Sequence, residues 1–190
     1  MSASCNAAVT LTVFPLGPSW DAAASVDRTF NHLAGVRPMN AITMLTEDHR
    51  DVKRLLDELE STTERGVKTR TELFARIKEM LTVHETIEEE IFYPALREHP
   101  KAKDLVLEAY EEHDVVDSIM SQLGSLPVDD ETWGAKATVM IENLRHHIEE
   151  EEKEMFPTAR RVFDADELEE LGQRMDARRK SAERELAGAR

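Results

Sequence analysis

The sequence contains little of what several classes of protein require. Its 190 residues include one cysteine, Cys5, so a disulfide scaffold or a cysteine-based zinc cluster cannot form within the chain. Aromatic residues make up only 5% of it, and seven glycines and seven prolines leave long stretches uninterrupted. No apolar run approaches the roughly 18 to 20 residues of a membrane-spanning helix, so we expect no membrane span.

Charged residues are abundant, and most of them are acidic. The chain carries 39 Asp and Glu against 24 Lys and Arg, a formal net charge of −15. Because such a field repels phosphate, the sequence argues against binding to nucleic acid or to anionic membranes. The 41% of apolar residues are enough for one buried core. We expect a cytoplasmic protein, and the sequence indicates no particular protein partner.

The charges are distributed unevenly along the chain, and this sets the predicted domain boundaries. Residues 1–38 contain four charged residues and three prolines and show no sustained helical period. We predict that 1–38 is a disordered N-terminal extension, with Met39 as an alternative start of the protein. The organised part is predicted to comprise residues 39–163 and a C-terminal helical tail over 164–190.

From residue 40 onward the sequence has the composition and spacing of amphipathic helices. Glycine and proline breaks separate four segments, at about 41–64, 70–97, 101–123 and 130–162. Four such helices joined by short loops predict an all-α, up-down-up-down four-helix bundle. A fifth, weakly apolar helix over about 166–187, capped by Asp164 or Asp166, is expected to pack on the outside or to fray.

The bundle segment contains an internal repeat that carries polar residues. Segments one and two correspond to segments three and four at a displacement of 63 or 64 residues. The matching motifs are Asp48-His49 with Glu112-His113, His84-x-x-x-Glu88 with His147-x-x-x-Glu151, and Tyr93-Pro94 with Phe156-Pro157. The chain therefore consists of two related helical hairpins, each with one lone histidine and one His-x-x-x-Glu pair.

The repeated histidines and glutamates interrupt the apolar faces of their predicted helices, because residues three, four or seven apart share a face. Burying an ionised carboxylate without a compensating charge costs several kcal/mol. Bound metal ions would offset that cost and keep the glutamates ionised and the imidazoles neutral. A hydrogen-bonded core histidine is the ordinary alternative for one such residue, but it does not explain a repeated constellation. The candidate metal ligands are His49, His84, Glu88, His113, His147 and Glu151.

With these motifs the sequence resembles the hemerythrin family, specifically its HHE cation-binding branch, over about residues 41–162. Members of that family are four-helix bundles that hold a non-haem di-iron centre in which two carboxylates bridge the ions. The resemblance implies two non-haem iron ions, with an oxo or hydroxo bridge, as the cofactor. It implies one iron at His49 and His84, a second at His113 and His147, and bridges from Glu88 and Glu151.

The sequence departs from the oxygen-carrying members of the family. Those have a third-helix His-x-x-x-His and a fourth-helix His-x-x-x-x-Asp, whereas here Asp117 stands four residues after His113, and Glu151 four residues after His147. Each iron would then have about four protein bonds, against a usual preference of roughly six. Glu85 and Asp117 are candidates for additional oxygen ligands, and a surface role for Glu85 is an equal alternative.

A carboxylate-rich centre of this kind favours the ferric state and leaves positions for small ligands. We therefore predict a di-iron protein that binds or reacts with dioxygen, peroxide or nitric oxide, with catalase-like or peroxide-reducing turnover as a candidate activity. Tyr110, one turn before His113, is a candidate acid, and a packed core tyrosine is the alternative. Two other functions stay open: non-enzymatic storage or sensing of iron or oxygen, and a structural bundle around zinc or manganese.

Overall fold

A computed structural model describes residues 40–189 of the chain, so the predicted extension 1–38 and Met39 lie outside the described residues. Within the described range the chain forms five long helices and no strand, and two of the helices contain a π-helical turn. The continuous helices are α1 (Ala41–Glu60), α3 (Lys103–Gly124) and α5 (Ala165–Gly188). Helix α2 comprises Val67–Ile87, the π turn Glu88–Phe92 and Tyr93–Arg97. Helix α4 comprises Glu131–Glu150, the π turn Glu151–Met155 and Phe156–Val162.

Helices α1 to α4 form the predicted up-down-up-down bundle, which confirms the fold class. Helix α1 packs on α2 and α4, and α3 packs on α4 and on the C-terminal part of α2. Side-chain caps fix where several helices begin. Asn40 caps α1, and Asp164 caps α5 by accepting a hydrogen bond of 2.9 Å from the backbone N–H of Glu167. Of the two caps predicted for α5, the structure therefore uses Asp164.

The two π turns lie at the same position of the internal repeat. Each begins at a predicted glutamate ligand, Glu88 or Glu151, and each ends one residue before an aromatic–proline pair. The backbone N–H of Tyr93 donates to the carbonyl of Glu88, and that of Phe156 donates to the carbonyl of Glu151. The proline that follows has no N–H for a regular α-helical bond, which is compatible with a widened turn before it. Such π turns are frequent at functional sites.

The apolar core is divided into two clusters. One cluster includes Leu45, Ala109 and Phe156, and the other includes Val52, Leu81 and Leu144. Between them lies a buried layer of six polar side chains, which we call the polar layer: His49, His84, Glu88, His113, His147 and Glu151. The bundle therefore holds the six predicted ligands at one level along its axis.

Helix α5 packs on the outside of the α1–α2 hairpin, as one of the two sequence-based alternatives expected. Leu168, Leu171, Met175 and Ala182 form its buried face, and the helix continues through Gly188. None of the described helices combines the length and hydropathy of a membrane-spanning segment.

Candidate metal centre

The side chains of the polar layer come from four different helices and are almost completely excluded from solvent. None of the six residues is more than 4% exposed. Their nitrogen and oxygen atoms form two groups, each with its atoms within 4.8 Å of one another. The first group is His49, His84, Glu88 and Glu151, and the second is Glu88, His113 and His147.

Each glutamate of the polar layer lies between histidines of the two groups. The Oε2 atom of Glu88 is 3.2 Å from His84 Nε2 and 3.6 Å from His113 Nε2. The Oε2 atom of Glu151 is 3.1 Å from the Nε2 atom of the α1 histidine and 3.7 Å from that of the α4 histidine. Each carboxylate therefore lies between the two groups of ligand atoms.

Three buried atoms of the layer are poorly satisfied by the protein, and a metal would satisfy them. Glu88 Oε1 has no hydrogen-bond partner among the described residues, and His49 Nε2 and Glu151 Oε2 face each other at 3.1 Å. A buried polar atom without a partner costs about 1 to 3 kcal/mol. In the second group, His113 Nε2 and His147 Nε2 are 3.1 Å apart. Two nitrogens bound to one ion at about 2.1 Å and at a right angle are separated by about 3.0 Å, so the spacing fits a shared metal.

The outer nitrogen of every histidine in the layer contacts a carboxylate. The Nδ1 pairs are His49 with Glu152 (3.2 Å), His84 with Asp48 (3.2 Å), His113 with Glu89 (2.8 Å) and His147 with Glu112 (2.8 Å). A carboxylate on Nδ1–H orients the ring, leaves Nε2 free for a metal and raises its basicity. This second set of contacts is typical of metal-binding histidines.

These four outer carboxylates follow the internal repeat, yet the sequence analysis did not identify them. Asp48 on α1 contacts the α2 histidine, as Glu112 on α3 contacts the α4 histidine. Glu89 on α2 and Glu152 on α4 each contact the lone histidine of the other hairpin. Their signal in the sequence is position, because each of the four is adjacent to a predicted ligand.

The tyrosine that donates a hydrogen bond to the polar layer is Tyr93, and the candidate suggested by the sequence, Tyr110, lies further out. The Tyr93 hydroxyl is buried and donates a hydrogen bond of 2.8 Å to Glu151 Oε1. Tyr110 packs on the Tyr93 ring and donates to the backbone carbonyl of Glu89. In the other hairpin Phe156 takes the place of Tyr93 and stacks on His49, with ring centroids 5.4 Å apart.

The two additional ligand candidates occupy different environments. Glu85 is buried and lines a small cavity beside the histidines, but it belongs to neither group of ligand atoms. Asp117 is exposed, and its charge acts on Glu85. The pKa of Glu85 is raised to about 8 by burial and by the charges of Asp117 and Glu89. Metal ligation by either residue stays a prediction.

In the metal-free protein, burial and neighbouring charges shift the pKa values of several side chains of the polar layer. Burial and the charge of Glu151 raise the pKa of Glu88 well above its usual range. Burial also acts to raise the pKa of Glu151, but the charge of His147 and the hydrogen bond with His49 outweigh it and lower the pKa. Burial lowers the pKa of His84 to about 4, so this imidazole is neutral at pH 7, as metal binding requires.

A cavity of about 10 Å³ adjoins the four histidines and is lined by Val52, Leu81, Leu144, Ile148 and Glu85. A cavity of this size holds about one water-sized molecule. Its walls are apolar except for the histidines and Glu85. The site therefore has room for a very small ligand and for none of the size of an organic metabolite.

Comparison with known proteins is consistent with this geometry. The family model of the hemerythrin HHE cation binding domain matches residues 40–159. The uncharacterized protein Rv2633c of Mycobacterium tuberculosis is 33% identical over 144 residues, which cover 74% of this chain and 85% of that protein. The crystal structure of a hemerythrin HHE cation binding domain-containing protein from Mycobacterium kansasii, a homolog of Rv2633c, matches with a TM-score of 0.67 and 30% identity. That match covers 76% of this chain and 87% of the other.

A protein of Nostoc described as a DNA nickase is also similar, at 23% identity over 150 residues. The match covers 79% of this chain but only 42% of the nickase. The chain thus spans less than half the length of that relative.

Proposed function

This chain belongs to the hemerythrin HHE cation-binding family, and we propose that its polar layer binds two iron ions that react with a small oxidant. Cation binding follows from the family. The proposed ligands are the six side chains of the polar layer, with Glu88 and Glu151 shared between the ions. The oxidants proposed are dioxygen, peroxide and nitric oxide.

The main observation in support of this proposal is that both ring nitrogens of each histidine contact carboxylates. In all four rings Nδ1 contacts a carboxylate, and Nε2 lies with the glutamate oxygens of the layer. A merely hydrogen-bonded core would not leave the buried Glu88 Oε1 atom without a partner. Metal ions at this level of the bundle satisfy both features.

Iron is the metal that the resemblance to hemerythrin implies, since histidine and carboxylate alone also accept zinc and manganese. A pair of iron ions would supply electrons to an oxidant bound beside it. The cavity of about 10 Å³ beside the histidines has room for about one water-sized molecule, which favours an oxidant of the smallest size. Apolar side chains that wall this cavity, among them Val52 and Leu144, exclude bulk water from it.

Tyr93 has a defined role in this proposal. Its hydroxyl keeps its proton, because burial and the charge of Glu151 raise its pKa well above the usual range. The phenol proton is held at Glu151 Oε1, where it fixes the orientation of one shared carboxylate. The Glu151 Oε2 atom is thereby left for the ions.

The test is absorption spectroscopy of the iron-loaded full chain, reduced without air and then mixed separately with dioxygen, peroxide and nitric oxide. We expect charge-transfer absorption to bleach on reduction and to return with an oxidant, and peroxide to be consumed at a rate that a chelator abolishes. His147→Ala is expected to lose both responses. His146→Ala, the adjacent exposed histidine, is expected to keep them.

A reduced protein that responds to none of the three ligands would contradict the proposed chemistry. So would a His147→Ala protein with wild-type spectra. An adduct with dioxygen that forms and is released unchanged on degassing would favour storage or sensing of oxygen over turnover.

Nucleic acid is not part of the proposal, although one relative is described as a DNA nickase. The net charge of −15 predicts no binding to DNA at low salt. A gel-shift measurement with single- and double-stranded DNA checks this prediction.

A further inference from the structure

The two groups of ligands differ in what holds their outer carboxylates. In the group of His49 and His84, both carboxylates are paired with cations: Asp48 with Arg179, and Glu152 with Lys53. In the other group, no Lys or Arg of residues 40–189 forms an ion pair with the corresponding Glu89 or Glu112. The two groups of ligands are therefore related by the internal repeat, but the cations that pair with their outer carboxylates are not.

The strongest of these differences is the contact between Arg179 and Asp48. The guanidinium donates from Nη1 to Asp48 Oδ1 at 3.0 Å and from Nη2 to Oδ2, so both carboxylate oxygens are held. The same Oδ2 atom lies 3.2 Å from His84 Nδ1. Arg179, Asp48 and His84 thus form a continuous chain of hydrogen bonds that ends at the polar layer.

Arg179 is supplied by α5, which is not one of the four bundle helices. The family model ends at residue 159, before α5 begins at Ala165. Arg179, Asp48 and His84 also line an open cleft of about 610 Å³. Without the guanidinium, the Asp48 carboxylate would face this cleft and could turn towards water.

We propose that Arg179 is a positioning residue for one of the two metal ions: it holds Asp48 so that Asp48 orients the His84 imidazole. Helix α5 thereby controls, through Arg179, how long the ion at His49 and His84 is retained, while the ion at His113 and His147 does not depend on Arg179. This inference rests on the proposed two-ion centre.

The physical basis is the geometry of the guanidinium. Its planar fork matches a carboxylate in two parallel hydrogen bonds, which fix the carboxylate plane as a single bond cannot. Loss of a carboxylate that orients a metal-binding histidine typically reduces metal affinity about 10- to 100-fold. Arg179 acts one contact further out, so we expect an effect of about tenfold, at the lower end of that range.

The experiment is metal release from the full chain, loaded with two Fe²⁺ ions without air and mixed with an excess of a chromogenic iron chelator. Arg179→Gln is expected to release one ion about tenfold faster and the other at the wild-type rate. If both wild-type ions leave in one phase, Arg179→Gln should split it into two. Arg179→Lys keeps the charge but loses the fork, so an intermediate rate is expected.

Three matched variants make the result specific. Arg178→Gln changes the neighbouring arginine of α5, removes its ion pair with Glu90 of α2 and should release both ions at wild-type rates. Glu112→Gln should accelerate the other ion, because Glu112 contacts His147. Asp48→Asn combined with Arg179→Gln should release iron no faster than Asp48→Asn alone, since the two residues act through one path.

Unchanged release from Arg179→Gln, or equal acceleration of both ions, overturns the inference. Equal effects of Arg179→Gln and Arg178→Gln also overturn it, because they would reflect a general loosening of α5. A wild-type chain that binds fewer than two Fe²⁺ ions overturns the proposed function and this inference together. Two bound ions with unchanged release from Arg179→Gln overturn this inference alone.

Discussion

Each imidazole of the polar layer is held by contacts at both of its nitrogens. A carboxylate at Nδ1, such as Glu89 beside His113, selects the tautomer that carries its proton there and presents a lone pair at Nε2. The ring orientation is consequently set before a metal arrives. For the proposed ion pair, the bundle therefore offers a preorganised set of candidate ligands, which would limit the conformational entropy lost on binding.

Tyr93→Phe tests the contact between a phenol and a shared carboxylate. The substitution removes the hydrogen bond to Glu151 Oε1 but keeps the ring, and the repeat already accepts a phenylalanine at the matching position, Phe156. A hydrogen bond to a charged group contributes about 1.5 to 3 kcal/mol, so we expect the free energy of unfolding of the metal-free protein to fall by about 2 kcal/mol. Urea denaturation measures it.

Tyr110→Phe is the matched control for that substitution. Its hydroxyl is partly exposed and donates to a backbone carbonyl, so the expected loss is below about 1 kcal/mol. A larger loss of stability for Tyr110→Phe than for Tyr93→Phe would contradict a stabilising hydrogen bond between Tyr93 and Glu151.

Glu85→Gln tests the buried acid of the small cavity through pH. The unfolded chain ionises Glu85 from about pH 4.5, whereas burial keeps the proton on the folded protein up to about pH 8. The folded state binds more protons between these values, so this residue lowers stability as pH rises through that window. Glutamine stays neutral, and we expect the metal-free variant to gain on the order of 4 kcal/mol at pH 8 and little at pH 4.5.

Urea denaturation at the two pH values checks this expectation. Glu111→Gln, an exposed glutamate on α3, should change stability by less than about 0.5 kcal/mol at both. A gain for Glu85→Gln that is independent of pH would contradict the account. The iron content of the same variant tests the predicted role of Glu85 as a ligand.

Among the elements, the π turns of α2 and α4 determine which side chains reach the polar layer. In a regular α-helix, a residue five positions after Glu88 is rotated from it by about 140° and would face away. The π turn adds a residue to the turn and returns Tyr93 to the face of Glu88, as it returns Phe156 to the face of Glu151. Helical periodicity could therefore predict His84 and Glu88 but not Tyr93.

Asp164→Ala tests the start of the additional helix. The substitution removes the hydrogen bond from the backbone N–H of Glu167 to the Asp164 side chain, and loss of such a cap costs about 1 kcal/mol. Asp166→Ala, in the exposed first turn, loses only a favourable interaction with the helix dipole and should cost less. The two free energies of unfolding are compared by urea denaturation, and equal losses would indicate that the cap is not used.

Over the whole molecule, the bundle and its six inward-facing ligand candidates could be predicted because they depend on local period and on an internal repeat. The outer carboxylates are marked in the sequence only by their position next to a predicted ligand. Which histidine each one contacts could not be predicted, because Asp48 and Glu152 contact histidines of other helices. Arg179 lies 131 residues from Asp48 in the chain, and nothing local marks it. Contacts between distant segments depend on packing that the pattern of one helix does not contain.

Removal of metal should destabilise the whole bundle. The polar layer separates the two apolar clusters, and without ions its unpartnered atoms remain buried. An ion present at a thousand times its dissociation constant stabilises the folded state by about 4 kcal/mol. For a chain of this size we expect the thermal midpoint to fall by about 10 °C with a chelator and to recover with iron. His49→Ala should show a smaller shift.

The decisive measurement is the number of iron ions per chain, determined by native mass spectrometry on the iron-loaded chain. We predict two ions for the wild type and for His146→Ala, and no more than one ion for His49→Ala and for His147→Ala. A wild-type chain with fewer than two ions, or either ligand variant with two, would contradict a two-ion centre in the polar layer.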